Sequence, residues 1–457
     1  MDQELRNSPP APLAPVAFDI SKPFETALDN GLRVVIVESK RLPIVSFRLS
    51  FHSGDIDDPQ GNIGLTSAMT NLMTEGTDNY TSLQLAEKVE RLGASLSANS
   101  SYDFTTVAAS SLSFYASSML DMMAEITLRP TFPENEVDLY RRNTVEHLKF
   151  QRSQPPFLAA EQAARAIYGD HPYARVSPTP ADIEKITTAA LKKFRQQRLI
   201  PNNAIFMVVG DVDRDEILGQ IKERFGDWET GSKPEPVNVE LPSANGSRCI
   251  VVDRSGSAQS NIVIANRATA RLTADYFPIL VMNQVLGAGA SSRVFMNLRE
   301  EKGYTYGAYT RLDLKRLAGD FEATAEVRND VTGESLKEFF YELERIRTDL
   351  VGDEELADAK NFLTGVFPIR AETQEGLTNL LLNQKLYGLD EDYLQAYRSN
   401  VNAVTAEQVL DAAKKYVRPD EASIIIVGDA EAVVPAAAEY APSVEIYDTE
   451  GSMRTDN

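Results

Sequence analysis

Residues able to carry chemistry are sparse in this chain, and one short run, GNIGLTSAMTNLMTEGT at 61–77, gathers three of them. Ser67, Thr70 and Asn71 stand at i, i+3 and i+4, a spacing that on a helix brings all three side chains to one side as neighbours. The residues around them, Leu65, Ala68, Met69, Leu72 and Met73, follow the i, i+3, i+4, i+7, i+8 series of a stripe packed on a core. The spacing therefore predicts an amphipathic helix with one buried face and one polar face free for chemistry. Two hydroxyls and a carboxamide hydrogen-bond readily, but to zinc they are weak substitutes for imidazole, carboxylate or thiolate.

Other candidates are few. The chain holds three histidines, His52, His147 and His171, and a single cysteine, Cys249. One cysteine makes neither an intrachain disulfide nor a cysteine-based zinc site. Three scattered histidines leave no hidden cluster and make a Ser-His-Asp or Cys-His triad poorly supplied. His171, in YGDHPYAR, reads as a structural turn residue.

The elements that position these residues are written twice. QRLIPNNAIFMVVGDVDRDEI near residue 205 is echoed by KYVRPDEASIIIVGDAEAVV near residue 425, each a basic helix end, a proline turn, a buried strand and Val-Gly-Asp. Upstream of each copy lies a helix start, at 179–183 and 405–409, beginning with a threonine and carrying acid in its first turn. The stretch 226–247, rich in Gly, Pro and Ser, separates the copies. Strands such as LRVVIVES, PIVSFRLSF and YDFTTVAASSLSF alternate with long helical patterns, giving an α+β fold of two homologous α/β-layer halves, each a mostly antiparallel sheet covered by helices. The expected division is a flexible segment 1–19, a first domain 20–230, a linker 231–247, a second domain 248–445 and a flexible tail 446–457. LGAGASSR at 286–293 lacks both the third glycine of a dinucleotide fingerprint and the lysine of a phosphate loop, and reads as a loop ending a helix.

Bulk charge narrows the partners. With 46 Lys and Arg against 67 Asp and Glu, the formal net charge is −21, which argues against a general grip on nucleic acid or anionic lipid. No stretch approaches the roughly 18 apolar residues of a membrane span, and MDQELRNSPPAPLAPVAFDI shows no signal-peptide pattern. A soluble protein of cytoplasm or periplasm is expected, with the compartment left open.

GLTSAMTNLMTEGT near residue 70, GASSRVFMNLREEKGYTYGAY near residue 300 and the two-half layout together resemble the pitrilysin/insulinase family of zinc peptidases over roughly residues 20–440. That family includes the mitochondrial processing peptidase and the core proteins of the respiratory bc1 complex. Its active members read G-[IL]-A-H-x-x-E-H-M-L-F-x-G-T, an inverted H-x-x-E-H motif whose histidines bind zinc and whose Glu is the general base, with a distal Glu ligand about 76 residues on. Against this pattern Gly64, Leu65, Leu72, Met73, Gly76 and Thr77 agree, while the catalytic positions read Ser67, Thr70 and Asn71. His147 stands 76 positions after Asn71, at the distal ligand's place, with Glu146 beside it. One histidine does not make a site, and the competing reading of His147 is a solvated or locally bonded helix residue. The resemblance thus implies a degenerate zinc site, with no catalytic residue and no metal or cofactor in this chain.

Two further elements carry over. Arg299 and Tyr306, in LREEKGYTYGAY, match the family's arginine/tyrosine pair, which donates hydrogen bonds to a peptide carbonyl and its oxyanion. Their competing reading is local: Arg299 paired with Glu300 or Glu301, and Tyr306 filling a strand. Leu96, Ser97, Ala98 and Asn99, in ASLSANSSYDFTT, match the edge strand that takes an extended peptide by β-augmentation, or else form an ordinary edge strand. In several relatives one subunit carries zinc and another the arginine/tyrosine pair. The implied role is the zinc-less subunit of a heterodimeric peptidase, with a zinc-bearing homologue as partner and a peptide or unfolded segment as substrate. Zinc belongs to the partner in that role, and homodimers in isolation are compatible with it. The alternatives are a non-peptidase assembly subunit resembling the bc1 core proteins, and a peptide-binding chamber.

Overall fold

The computed structural model describes residue 20 and residues 22–242 and 247–454, so the expected flexible segment 1–19 lies outside the described residues. Two six-stranded sheets dominate. The first comprises β1 (Phe24–Ala27), β2 (Arg33–Glu38), β3 (Ile44–Phe51), β4 (Ser95–Ser100), β5 (Thr105–Leu112) and β6 (Ala204–Gly210) in the order β1-β2-β6-β3-β5-β4. The second comprises β7 (Arg248–Asp253), β8 (Gln259–Arg267), β9 (Thr305–Leu314), β10 (Gly319–Arg328), β11 (Ser423–Gly428) and β12 (Val444–Tyr447) in the order β12-β7-β11-β8-β10-β9. Most pairings are antiparallel, as expected; β2 with β6, and β7 with β11 and with β12, run parallel. Five strands of the second order repeat the first, while the outer place held by β1, antiparallel to β2, is taken by β12 from the chain's other end, parallel to β7; β6 and β11 are the strands of the twice-written Val-Gly-Asp motif.

Five helices matter for function: α1 (Leu65–Leu72), α2 (Glu134–Arg152), α3 (Pro155–Tyr168), α4 (Tyr276–Leu286) and α5 (Gln374–Leu386). The helix starts read from the sequence are capping boxes, Thr179 with Asp182 and Thr405 with Gln408. The glycine-rich run does end a helix: the Gly287 amide donates to the Asn283 carbonyl at 2.9 Å, at the C-terminus of α4.

β6 and β11 are buried along their whole length, which requires both faces of each sheet to be covered. Phe206 and Val208 face the core of the first half, and the intervening Ile205, Met207 and Val209 face the opposite side. That opposite side is closed by the second half, through Leu381, Leu382 and Leu386 of α5. Reciprocally, Leu158, Ala159, Ala163 and Ile167 of α3, a first-half helix, cover Ile425 and Val427 of β11. Each half thus lends a helix to the other's sheet.

Polar contacts follow the same exchange. Arg48 of β3, its side chain 7% exposed, meets Glu375 of α5 at 2.9 Å, and Gln374 donates to the Ile44 carbonyl at 2.7 Å. Tyr168 of α3 donates to Asp320 of β10 at 2.5 Å, where Lys315 also binds at 2.7 Å. Tyr173 donates to Asp103 at 2.6 Å, and Asp103 accepts from the Arg316 amide at 2.8 Å.

The tail departs from the flexible segment expected at 446–457. β12 extends the second sheet to Tyr447, the chain turns back so that Tyr447 bridges Met453, and Arg454 meets the buried carboxylate of Asp253 at 2.7 Å. Strand pairing with β7 and one ion pair hold what its polar composition suggested was loose; only 455–457 lie outside the described residues. Among the described residues no helix is long and apolar enough to cross a membrane.

Candidate functional site

The chain enters α1 through Gly64, at φ 87°, a left-handed conformation that glycine adopts without strain. Asp58 supplies the missing cap: its carboxylate accepts from the Gly64 amide at 2.6 Å, the Thr66 amide at 2.9 Å and the Thr66 hydroxyl at 2.6 Å. Leu65, Ala68, Met69, Leu72 and Met73 are buried, as the periodicity predicts.

The other face differs from the open polar surface expected. Ser67 is half-buried and Asn71 exposed, but Thr70 is only 2% exposed. Thr70 Oγ1 donates to the Ser67 carbonyl at 3.0 Å, and Asn71 Nδ2 donates to the same carbonyl at 2.7 Å. Both side chains satisfy themselves on their own helix. Ser67 Oγ lies 3.4 Å from Asp55 Oδ1 and 3.2 Å from Ser100 Oγ, and Ser100 itself donates to Asp55 at 2.8 Å.

Asp55 is the site residue that sequence reasoning missed. Burial pushes its carboxyl up to about 6, against the lowering effect of the Ser100 and Ser67 hydroxyls and with a further rise from Asp58. The only signal was the acidic run GDIDD between β3 and α1.

His147 does not join this group. It lies exposed on α2, its ring stacked on Phe150 at 6.4 Å, and its neighbour Glu146 pairs with Lys149 at 2.7 Å. His171 accepts from the Tyr173 amide at 3.2 Å in a short turn, and His52 packs edge-on against Phe104 at 5.7 Å. Burial first, then Arg316, Arg33 and Lys233, lower the His52 imidazole to about 4. Among the described residues no group of three or more His, Cys, Asp or Glu could hold a metal ion. Self-bonded hydroxyl and amide groups beside one half-buried carboxylate do not fit zinc.

β4 forms the outer edge of the first sheet beside α1. Leu96 and Ala98 face inward opposite Ala109 and Val107, while Ser97 and Asn99 are exposed, Asn99 Nδ2 donating to Ser97 Oγ at 3.3 Å. Among the described residues no strand pairs with its outer backbone edge.

Arg299 and Tyr306 are brought together. Arg299 sits in a π-helical turn, Met296–Glu301, its guanidinium 4.8 Å from the Phe295 ring centre and 5.5 Å from that of Tyr306. It also meets Glu300 at 3.3 Å, one of the two local pairings its sequence neighbourhood offers. Tyr306 does not fill its strand. It is 92% exposed, where the β9–β10 register shifts between Ala325 and Val327. Neither residue bonds to Ser67, Thr70 or Asn71 of its own chain.

Residues 33–180 match the family model described as Insulinase (Peptidase family M16), and residues 185–363 match the model described as Peptidase M16 inactive domain. The chain belongs to the insulinase family. A Mycobacterium leprae member described as an uncharacterized zinc protease is 24% identical over 84% of this chain and 87% of its own length. A Helicobacter pylori member described as a non-peptidase homolog is 22% identical over 87% of this chain and 91% of its own. The crystal structure of a Peptidase M16 inactive domain from Pseudomonas fluorescens is 25% identical, with a TM-score of 0.83 over 89% of this chain and 98% of that one. Within the insulinase family this chain is of the inactive type, its core helix face kept and its ligand face replaced.

Proposed function

We propose that this chain is the zinc-less subunit of a heterodimeric insulinase-family peptidase and lends Arg299 and Tyr306 to peptide hydrolysis at a partner's zinc site. The exposed Tyr306 carries this reading. A phenol 92% exposed beside a 40% exposed guanidinium contributes little to its own fold and leaves its hydroxyl free for a group on another molecule, while Arg299 keeps donors beyond the one facing Glu300. A guanidinium and a phenol suit a peptide carbonyl becoming an oxyanion, and one such donor is worth about 3 to 4 kcal/mol of transition-state stabilisation. The unpaired edge of β4 at Leu96, Ser97, Ala98 and Asn99 offers backbone hydrogen bonds to an extended peptide. The relative described as a non-peptidase homolog favours a second reading, an assembly or peptide-binding protein without catalysis.

Mixing separates the two. The purified chain is combined with a zinc-bearing homologue from the same genome, and cleavage of a quenched fluorescent peptide is followed. A gain over the homologue alone is expected, and Arg299→Ala abolishes most of it while the two chains still co-elute. No gain refutes the subunit reading and leaves the second. Elemental analysis of the chain alone should find zinc well below one equivalent.

A further inference from the structure

The second half holds a cleft that none of this uses. It lies between α4 and β9, the second-half counterparts of α1 and β4, and encloses about 230 Å³. Ile279 and Leu280 of α4 line one side, and Leu312 and Leu314 of β9 the other. At its rim stands Arg271, its guanidinium 3.5 Å from the ring centre of Tyr276 and donating to the Tyr393 hydroxyl at 2.8 Å.

Arg271 has no carboxylate within 4.0 Å among the described residues, although the chain has 21 more acidic than basic residues. The nearby acids are engaged elsewhere: Asp275 with Lys415 at 2.6 Å and Tyr416 at 2.5 Å, and Asp313 with Lys315 at 2.9 Å. The surrounding phenols of Tyr387 and Tyr393 are pushed up by burial, so they stay neutral at physiological pH and supply no counter-charge. Asn283, also on the wall, spends its carbonyl on the Thr310 hydroxyl at 2.8 Å but makes only a 3.5 Å contact through its amide nitrogen. A planar cation held flat on an aromatic ring presents its remaining donors as a fork. One fork matches a carboxylate, a single charge, better than a dianion, which one cation would leave half neutralised in an acidic protein. The aliphatic walls and residue-sized volume call for one apolar side chain.

We infer that the cleft between α4 and β9 binds an apolar carboxylate, with Arg271 holding the carboxylate and Ile279, Leu280, Leu312 and Leu314 holding an aliphatic group of about one residue. Both a peptide ending in an apolar residue and a small free acid carry this chemistry. The site is complete in one chain, so it stands whether or not a partner exists.

Saturation-transfer NMR on the full chain tests it with four probes: N-acetyl-leucine, N-acetyl-leucinamide, N-acetyl-Ala-Ala-Leu and its C-terminal amide. Both acids are expected to bind at least tenfold more tightly than the matching amides. Arg271→Met should weaken the acids at least tenfold, Arg271→Lys less, and Leu312→Trp should abolish binding by filling the cleft, each with an unchanged melting temperature. Binding of N-acetyl-leucine without the tripeptide acid supports the site and assigns it to free acids; binding of both extends it to peptide ends. Equal binding of acids and amides, no binding of either acid, or acid binding unaffected by Arg271→Met overturns the inference.

Discussion

Replacing Asp55 by asparagine should stabilise this protein at neutral pH, and by an amount that depends on pH in a defined sense. Burial raises the carboxyl to about 6 from 3.8, so the folded state holds this proton more tightly than the unfolded state. Between those values unfolding free energy falls as pH rises, and above them the full penalty applies. A difference of about two pH units corresponds to roughly 3 kcal/mol, and because Asp55 is partly exposed, screening reduces this to about 2 kcal/mol. Asparagine keeps the shape and an oxygen to accept from Ser100 but carries no charge to bury. Urea unfolding followed by circular dichroism at pH 7.5 and pH 4.5 measures both states. The variant should be about 2 kcal/mol more stable at pH 7.5, the gain shrinking below about 1 kcal/mol at pH 4.5. Asp58, also raised by burial, is present in both proteins, and its repulsion of the Asp55 carboxylate is part of the penalty that the variant removes. A variant less stable at pH 7.5, or a gain equal at both values, would refute the claim that an ill-solvated carboxylate lies under α1.

Three other outcomes follow from the packing. A Cβ added by Gly54→Ala would come within 2.4 Å of the Ser101 carbonyl and 2.5 Å of the Tyr102 carbonyl, both backbone, so this variant should lose about 3 kcal/mol or more and express mainly as insoluble protein. Leu381→Ala removes a side chain 2% exposed where α5 covers the first sheet; urea unfolding should show a loss of about 2 to 5 kcal/mol, and a loss below about 1 would mean the exchanged helix is not needed there. Cys249 is fully buried and its thiol is pushed up to about 12, so it should resist Ellman's reagent in native buffer at pH 8 and react at once in urea.

What was legible follows the range of the interaction that fixes each feature. The stripe of α1, the threonine caps and the apolar runs of β6 and β11 are set by neighbours within a few residues, and sequence spacing reports them directly. An apolar run states that both faces of a strand are covered but not which helix covers them. The exchange of α3 and α5 depends on contacts such as Arg48 with Glu375, separated by 327 positions, and no local pattern carries that. The burial of Thr70 and the raised carboxyl of Asp55 were hidden for the same reason: a residue type and its spacing give a direction on the helix or loop, while solvent exposure is decided by what else packs there. That Arg271 meets no carboxylate among the described residues likewise shows only once distant acids have been placed against their own partners.

The same distinction explains how an insulinase-family helix can keep its architecture without its chemistry. The five buried apolar residues of the α1 segment answer to the core, and Asp58 fixes the entry to the helix, so neither depends on what stands at 67, 70 and 71. Hydroxyl and amide groups there complete their hydrogen bonds on the helix itself, so replacing metal ligands by them leaves no buried donor of this trio unpaired. The arginine and tyrosine of the second half stand under the opposite rule. Tyr306 is 92% exposed beside Arg299, placed there by a π-helical turn and a shifted strand register, so little of its own core depends on it, and the role proposed above gives its hydroxyl a peptide carbonyl at a partner's site.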